Sequence, residues 1–331
     1  MNSAMMRAII TGTGSALPAK VLTNADLERM VETSDEWITS RTGIKERRIA
    51  VDGEFTSTFA VQASRRAMEM AGIAADELDL IILATVTPDF PFPATSCIVQ
   101  HEIGAHNAAV FDISAACSGF VYGLSIADKF IRSGGARKIL VIGAEVLSRI
   151  VDWTDRNTCI LFGDGAGAAI VEVATGDSGI LSSHVFSNGS FWNTLYQPGC
   201  GNRNPATSPA TLNERLFFIR MEGNDVFKHA VRGMEEAAGT ALTANSMSPS
   251  DVSLFIPHQA NRRIIDAVAK RLGITDDRVF VNLHNYGNTS SASIPIALDE
   301  ANRSGRMKSG DIILLDAFGG GFTNGSTLMR W

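Results

Sequence analysis

The chain has 331 residues, 45% hydrophobic and 19% charged, with a formal net charge of -6. This is the composition of a core-rich globular protein of one large domain or two ordinary ones, and it excludes a disordered chain. The negative balance argues against nucleic acid as a partner, and no apolar run reaches the roughly 20 residues of a membrane helix.

Met1 to Arg7 has neither an apolar core nor a basic leader, so no secretory signal is expected. The cysteines at 97, 117, 159 and 200 are scattered, with no CxxC pair and no zinc spacing. A reduced, cytoplasmic protein with at most one chemically active thiol follows.

Ala8 to Gly12 reads as a first strand, closed by Gly14 and Pro18. Thr11-Gly12-Thr13-Gly14 resembles the start of a dinucleotide fingerprint, but Leu17 stands where the third glycine belongs, which argues against a nicotinamide site. Short helices follow at Asn24 and over Thr33–Arg41, with acids in their first turns. Lys45, Arg47 and Arg48 then make a basic loop, either solvated or meeting phosphate.

Next come a helix over 56–71 and a strand over 78–86, then an extended loop broken by Pro88, Pro91 and Pro93 and carrying Phe90 and Phe92. A helix over 97–103, a strand over 108–113 and a strand over 138–143 continue the alternation, which predicts a mostly parallel sheet covered by helices. The glycine-rich run 161–169 lacks the Lys-Ser/Thr ending of a phosphate loop and reads as tight packing or a turn.

Composition turns small and polar at Gly176 to Gly179, a boundary between halves 1–176 and 177–331. Residues 199–209 form a long surface loop. Helices over 224–242, 261–272 and 290–301 then alternate with strands over 253–256, 279–283 and 311–315, as in a duplicated α/β unit.

Reactive groups in such sheets gather at the carboxyl ends of strands. Cys117 follows strand 108–113 and precedes a helix marked by Phe120, Leu124, Ala127 and Ile131. The N–H groups and dipole of a helix start favour an anion, so its thiol is expected to ionise readily. His258 follows strand 253–256 and Asn288 follows strand 279–283, whereas His184, His229 and His284 lack that placement and read as structural or surface groups. A papain-like protease shares the Cys–His–Asn set and the 258 − 117 = 141 interval, but its Cys-Gly-Ser/Ala-Cys signature is missing. The glycines of Phe318-Gly319-Gly320-Gly321-Phe322 point to close backbone approach, with an N–H there and that of Cys117 forming an oxyanion hole.

Ala115-Ala116-Cys117-Ser118-Gly119-Phe120, Pro257-His258-Gln259-Ala260-Asn261, Gly287-Asn288-Thr289-Ser290 and Gly319-Gly320-Gly321-Phe322 together resemble β-ketoacyl-[acyl-carrier-protein] synthase III of the thiolase superfamily. The resemblance implies a five-layered αβαβα fold of two similar halves, a homodimer, and initiation of fatty acid synthesis. A short acyl-CoA, acetyl-CoA first, would condense with malonyl-acyl-carrier protein, with no metal or bound cofactor. Cys117 would carry the acyl group, and His258 and Asn288 would stabilise the enolate; the N–H groups of Cys117 and Gly320 would hold the acyl carbonyl. It also implies that Trp37 and Arg156 stack on the CoA adenine, Arg41 meets its phosphates and Asn261 the pantetheine. Phe92 would close the partner's acyl pocket, which Phe162 also lines, and Lys228, Arg263 and Lys270 would dock the carrier protein. A related enzyme of quinolone or polyketide starter synthesis carries the same triad. A degradative thiolase needs a second cysteine near the C-terminus, and none follows Cys200.

Overall fold

The computed structural model describes residues 6–174 and 176–331; the Met1–Met5 part of the leader reading lies outside them. Ala8–Ala16, Gly165–Val173, Lys138–Glu145, Leu80–Ala84 and Ala109–Ile113 lie side by side in one sheet. Leu254–Pro257, Ile312–Gly319, Thr323–Arg330 and Gly179–Ser187 form the second.

Both sheets are buried on both faces, which is why their central strands read as unbroken apolar runs. Leu80 and Ile82 point into a core shared with Ile313 and Leu315 of the other sheet, while Ile81 and Leu83 face an outer core. The helices Gly119–Arg132 and Ser293–Arg303 fill the central layer between the sheets. Thr56–Ala71 and Thr95–Ile103 cover the first sheet, and Gly223–Ala244 and Arg262–Leu272 the second. The result is the expected five-layered αβαβα architecture. Among the described residues no helix is long and apolar enough to cross a membrane.

The sheets are mixed rather than mostly parallel. Leu80–Ala84 pairs in parallel with both neighbours, but Gly165–Val173 runs antiparallel to both of its own. In the second sheet only Leu254–Pro257 and Ile312–Gly319 are parallel. Ile312–Gly319 and Thr323–Arg330 are joined by a connection too short for a crossover, so they must be antiparallel.

The glycine motifs prove to be packing devices. A Cβ on Gly12 or Gly14 would stand 2.3 Å from Ala67 or Ala63 carbonyl oxygen, because helix Thr56–Ala71 lies directly on that strand. The run at 161–169 enters strand Gly165–Val173, where a Cβ on Gly167 would come within 2.7 Å of the backbone at Pro295 and Ile296. Arg47 meets neither solvent nor phosphate: it is fully buried and donates to Leu22 and Ile160 carbonyls and to Asn24 Oδ1.

Candidate active site

Cys117 sits in a single 3-10 turn, Ala116–Ser118, between strand Ala109–Ile113 and helix Gly119–Arg132. Ala116 adopts φ +47°, a left-handed conformation that L-residues with a Cβ pay about 1–2 kcal/mol to hold. The turn is tied to the far sheet by two reciprocal bonds. Ser118 Oγ donates to Thr323 O at 2.9 Å, and Thr323 Oγ1 donates to Ala115 O at 2.8 Å. Gly319 completes the fit, since a Cβ there would stand 2.6 Å from Cys117 N.

The thiol does not ionise readily. Burial pushes it up to about 12, and the Glu145 carboxylate pushes the same way; the Ser290 hydroxyl draws it down by less. Desolvation therefore outweighs the helix start, and the resting group is a thiol.

His258 stands one residue past strand Leu254–Pro257, its N–H bonded to Asp316 O at 2.8 Å. Burial holds the imidazole down to about 3, so it is neutral at physiological pH. Its Nδ1 lies 2.5 Å from Ser293 Oγ, the first residue of the central helix Ser293–Arg303. That oxygen also accepts the Gln259 N–H at 3.3 Å. We assign the hydroxyl's single proton to Nδ1, which leaves Nε2–H as a donor.

Asn288 reaches the site by another route than expected. Residues 279–283 do not form a strand: Val279 makes one isolated bridge to Phe255, and the short helix Leu283–Tyr286 follows. Gln259 replaces the backbone ladder there, accepting the Asn282 N–H at 3.0 Å and donating to Phe280 O at 3.1 Å. Asn288 is fixed instead against the Leu161–Gly163 segment, donating to Leu161 O at 2.8 Å and accepting from Gly163 N at 3.0 Å. Its Oδ1 accepts the Ser290 N–H at 2.8 Å, so Nδ2 remains as the donor.

These three residues line one cavity, together with Phe318, Asn261 and Phe227. Cys117 also opens onto a second, apolar cavity lined by Leu147, Ile150, Phe162, Ile219, Ser290 and Gly320. Phe162 belongs to both, and the sulfur stands at their junction.

Trp37, Arg41 and Arg156 come together at the surface, the two guanidinium carbons 4.7 and 5.0 Å from the indole centroid. Asn261 caps helix Arg262–Leu272 through Oδ1, 2.9 Å from Arg263 N, and lines the same cavity as Cys117. Phe92 is 85% exposed and lines neither cavity of its own chain. Lys228, Arg263 and Lys270 are exposed on helices Gly223–Ala244 and Arg262–Leu272; Lys228 faces Asp225 at 3.8 Å and Arg263 lies over Phe227. His229 packs against the rings of Phe191 and Phe322, which also stack on each other. Sequence reading missed Ser293, Ser290 and Glu145, for which spacing offers no signal.

Family models described as 3-oxoacyl-[acyl-carrier-protein] synthase III match residues 111–189, and as its C-terminal part residues 242–331. A relative named beta-ketoacyl-[acyl-carrier-protein] synthase III, from Caldanaerobacter subterraneus, is 56% identical over 97% of each chain. The chain belongs to this family. Among solved structures, the 3-oxoacyl-[acyl-carrier-protein] synthase III of Aquifex aeolicus superposes with a TM-score of 0.92 at 52% identity, covering 98% of this chain and 100% of the other. The priming beta-ketosynthase of the R1128 polyketide pathway superposes at 0.91 with 36% identity, covering 100% and 98%.

Proposed function

We propose that the chain condenses a short acyl-CoA, acetyl-CoA first, with malonyl-acyl-carrier protein, giving 3-ketoacyl-acyl-carrier protein, CoA and carbon dioxide. This starts fatty acid synthesis in the cytoplasm. The observation that carries the reading is the placing of one buried sulfur at the meeting of two cavities, beside two side chains with N–H donors to spare.

Cys117 sulfur attacks the acyl thioester carbonyl, and CoA leaves as the acyl group passes to the enzyme. The acyl chain occupies the apolar cavity past Phe162, its carbonyl oxygen held by the N–H groups of Cys117 and Gly320. The malonyl thioester then enters beside His258 and Asn288. Loss of carbon dioxide leaves an enolate whose oxygen accepts from His258 Nε2–H and Asn288 Nδ2–H, donors aimed before the charge forms. The enolate carbon attacks the acyl carbonyl, and Cys117 departs as thiolate and takes up a proton from solvent.

Arg41, Arg156 and Trp37 receive the nucleotide end of CoA, and Asn261 the pantetheine. Lys228, Arg263 and Lys270 meet the acidic carrier protein. Two halves, 1–176 with Cys117 and 177–331 with His258 and Asn288, share the site, and in a homodimer Phe92 closes the partner's acyl pocket. Relatives above 50% identity are named beta-ketoacyl-[acyl-carrier-protein] synthase III, whereas the polyketide priming enzyme is 36% identical, which favours the first role. The test is reconstitution with acetyl-CoA and malonyl-acyl-carrier protein. Release of carbon dioxide with 3-ketobutyryl-acyl-carrier protein is expected; no product with any acyl-CoA would overturn the assignment.

A further inference from the structure

Residues 279–282 run past His258 without a strand ladder, and side chains hold them in place. Gln259 is buried, and every polar atom of its amide is used. Its nitrogen donates to Pro257 O at 2.7 Å and to Phe280 O at 3.1 Å, and Oε1 accepts the Asn282 N–H at 3.0 Å. A flipped amide would set NH2 against the Asn282 N–H and oxygen against two carbonyls, so only one orientation fits. The amide thus joins the strand end that carries His258 to the stretch leading towards Asn288.

From Asn282 the bonds continue to Glu300. Asn282 Nδ2 donates to Glu300 Oε2 at 2.8 Å, and the Tyr286 hydroxyl donates to Oε1. Asn282 caps the short helix Leu283–Tyr286 and Tyr286 ends it, so one carboxylate grips the helix at both ends, just ahead of Asn288.

Glu300 stands seven residues after Ser293 on helix Ser293–Arg303, and two turns place both side chains on one face. Ser293 Oγ meets His258 Nδ1 and accepts the Gln259 N–H. The bonds therefore close a ring through His258, Ser293, the central helix, Glu300, Asn282 and Gln259. The Asn288 backbone is pinned to Leu161 and Gly163, in the half of the chain that carries Cys117. The ring is what refers Asn288 to His258.

We propose that Gln259, Asn282 and Glu300 form a bracket that aligns His258 and Asn288 on a single enolate oxygen. The carboxylate serves as a pair of acceptors, and no proton moves through it. All three are positioning residues, and none lines the cavity that the two donors share.

The inference rests on the roles given to His258 and Asn288 above. Acylation of Cys117 uses neither donor, whereas loss of carbon dioxide uses both. A bracket therefore acts on one half-reaction, and a general packing role acts on both.

The two half-reactions are measured apart. One is acetyl transfer from acetyl-CoA to Cys117, read by quenched intact mass. The other is single-turnover carbon dioxide release from malonyl-acyl-carrier protein by the acetylated enzyme. Glu300→Ala removes both acceptors and should slow carbon dioxide release about tenfold or more, because donors must be aimed closely. Acylation, and the malonyl-acyl-carrier protein concentration giving half-maximal release, should stay within about twofold. Glu300→Gln should bring release back to within about threefold of the parent, since a carboxamide accepts from Asn282 and donates to the Tyr286 oxygen. Gln259→Leu breaks the ring beside the imidazole and should slow release about a hundredfold. Unchanged release in Glu300→Ala or in folded Gln259→Leu would overturn the bracket. So would equal losses in both half-reactions, or Glu300→Gln as slow as Glu300→Ala. If Gln259→Leu fails the circular dichroism check for folding, the two Glu300 variants decide alone. Failure of the parent protein in either half-reaction would sink the reading of the site instead.

Discussion

Ser293 Oγ lies 2.5 Å from His258 Nδ1, and this contact decides which imidazole nitrogen is left to the substrate. The hydroxyl reaches the ring because helix Ser293–Arg303 starts in the central layer, directly behind the strand end that carries His258. Replacing Ser293 by Ala frees the tautomer. Malonyl decarboxylation should fall about tenfold or more, while acylation of Cys117 by acetyl-CoA is nearly unchanged. Separate assays of the two half-reactions check this, and equal losses in both would mark a general packing defect.

The buried imidazole also makes stability depend on pH. Its folded value of about 3 lies below the usual 6.5, so between these limits the unfolded chain binds a proton that the folded chain does not. Stability from this group is therefore present above the unfolded value and lost as pH falls. The slope is at most about 1.4 kcal/mol per pH unit. Denaturant midpoints measured between pH 7 and 5 should decline less steeply in His258→Asn than in the parent protein.

Gly319 is required by its distance to the nucleophile's own N–H. A Cβ there would come within 2.6 Å of Cys117 N and 3.1 Å of Ser118 N, so Gly319→Ala must displace the turn. The expected cost is about 1–3 kcal/mol of stability, with an acylation rate lowered more than tenfold. Thermal unfolding and single-turnover acylation measure the two effects.

The guanidinium groups of Arg41 and Arg156 stand 4.7 and 5.0 Å from the Trp37 ring centroid. On the proposed function, Trp37→Ala should raise the apparent KM for acetyl-CoA about tenfold, leaving kcat within about twofold, because an adenine held there would be bound equally in ground and transition states. A fall in kcat alone would place Trp37 elsewhere in the reaction.

Much of the architecture was legible because strands buried on both faces must be continuous apolar runs, as Leu80–Ala84 and Ile312–Leu315 are. The expected strand over 78–86 ends earlier, since Thr85 to Thr87 turn away to bond Glu145. Gly165–Val173 was hidden because small residues chosen for backbone contact look like a loop. Gly179–Ser187 and Thr323–Arg330 escaped notice through their serines, threonines and histidine. Ser183 and Thr327, for instance, pair through their hydroxyls at 2.9 Å.

The site was legible through local motifs, and it failed where solvation decides. Cys117 was placed at its strand-to-helix turn from hydrophobic spacing alone. The depth of its burial, and hence a thiol that stays protonated, is set by residues from the Ser290 turn and Gly319, distant in the chain. Asn288 was tied to a strand that does not exist because Val279-Phe280-Val281 is β-branched and aromatic; Gln259 takes its hydrogen bonds instead.

The central claim is that Cys117 carries the acyl group. Intact-mass analysis after incubation with acetyl-CoA tests it most directly. The parent protein should gain the mass of one acetyl group, mapped by peptide analysis to Cys117, and Cys117→Ser should gain none. An acetyl group on another residue, or equal acylation of Cys117→Ser, would contradict the account.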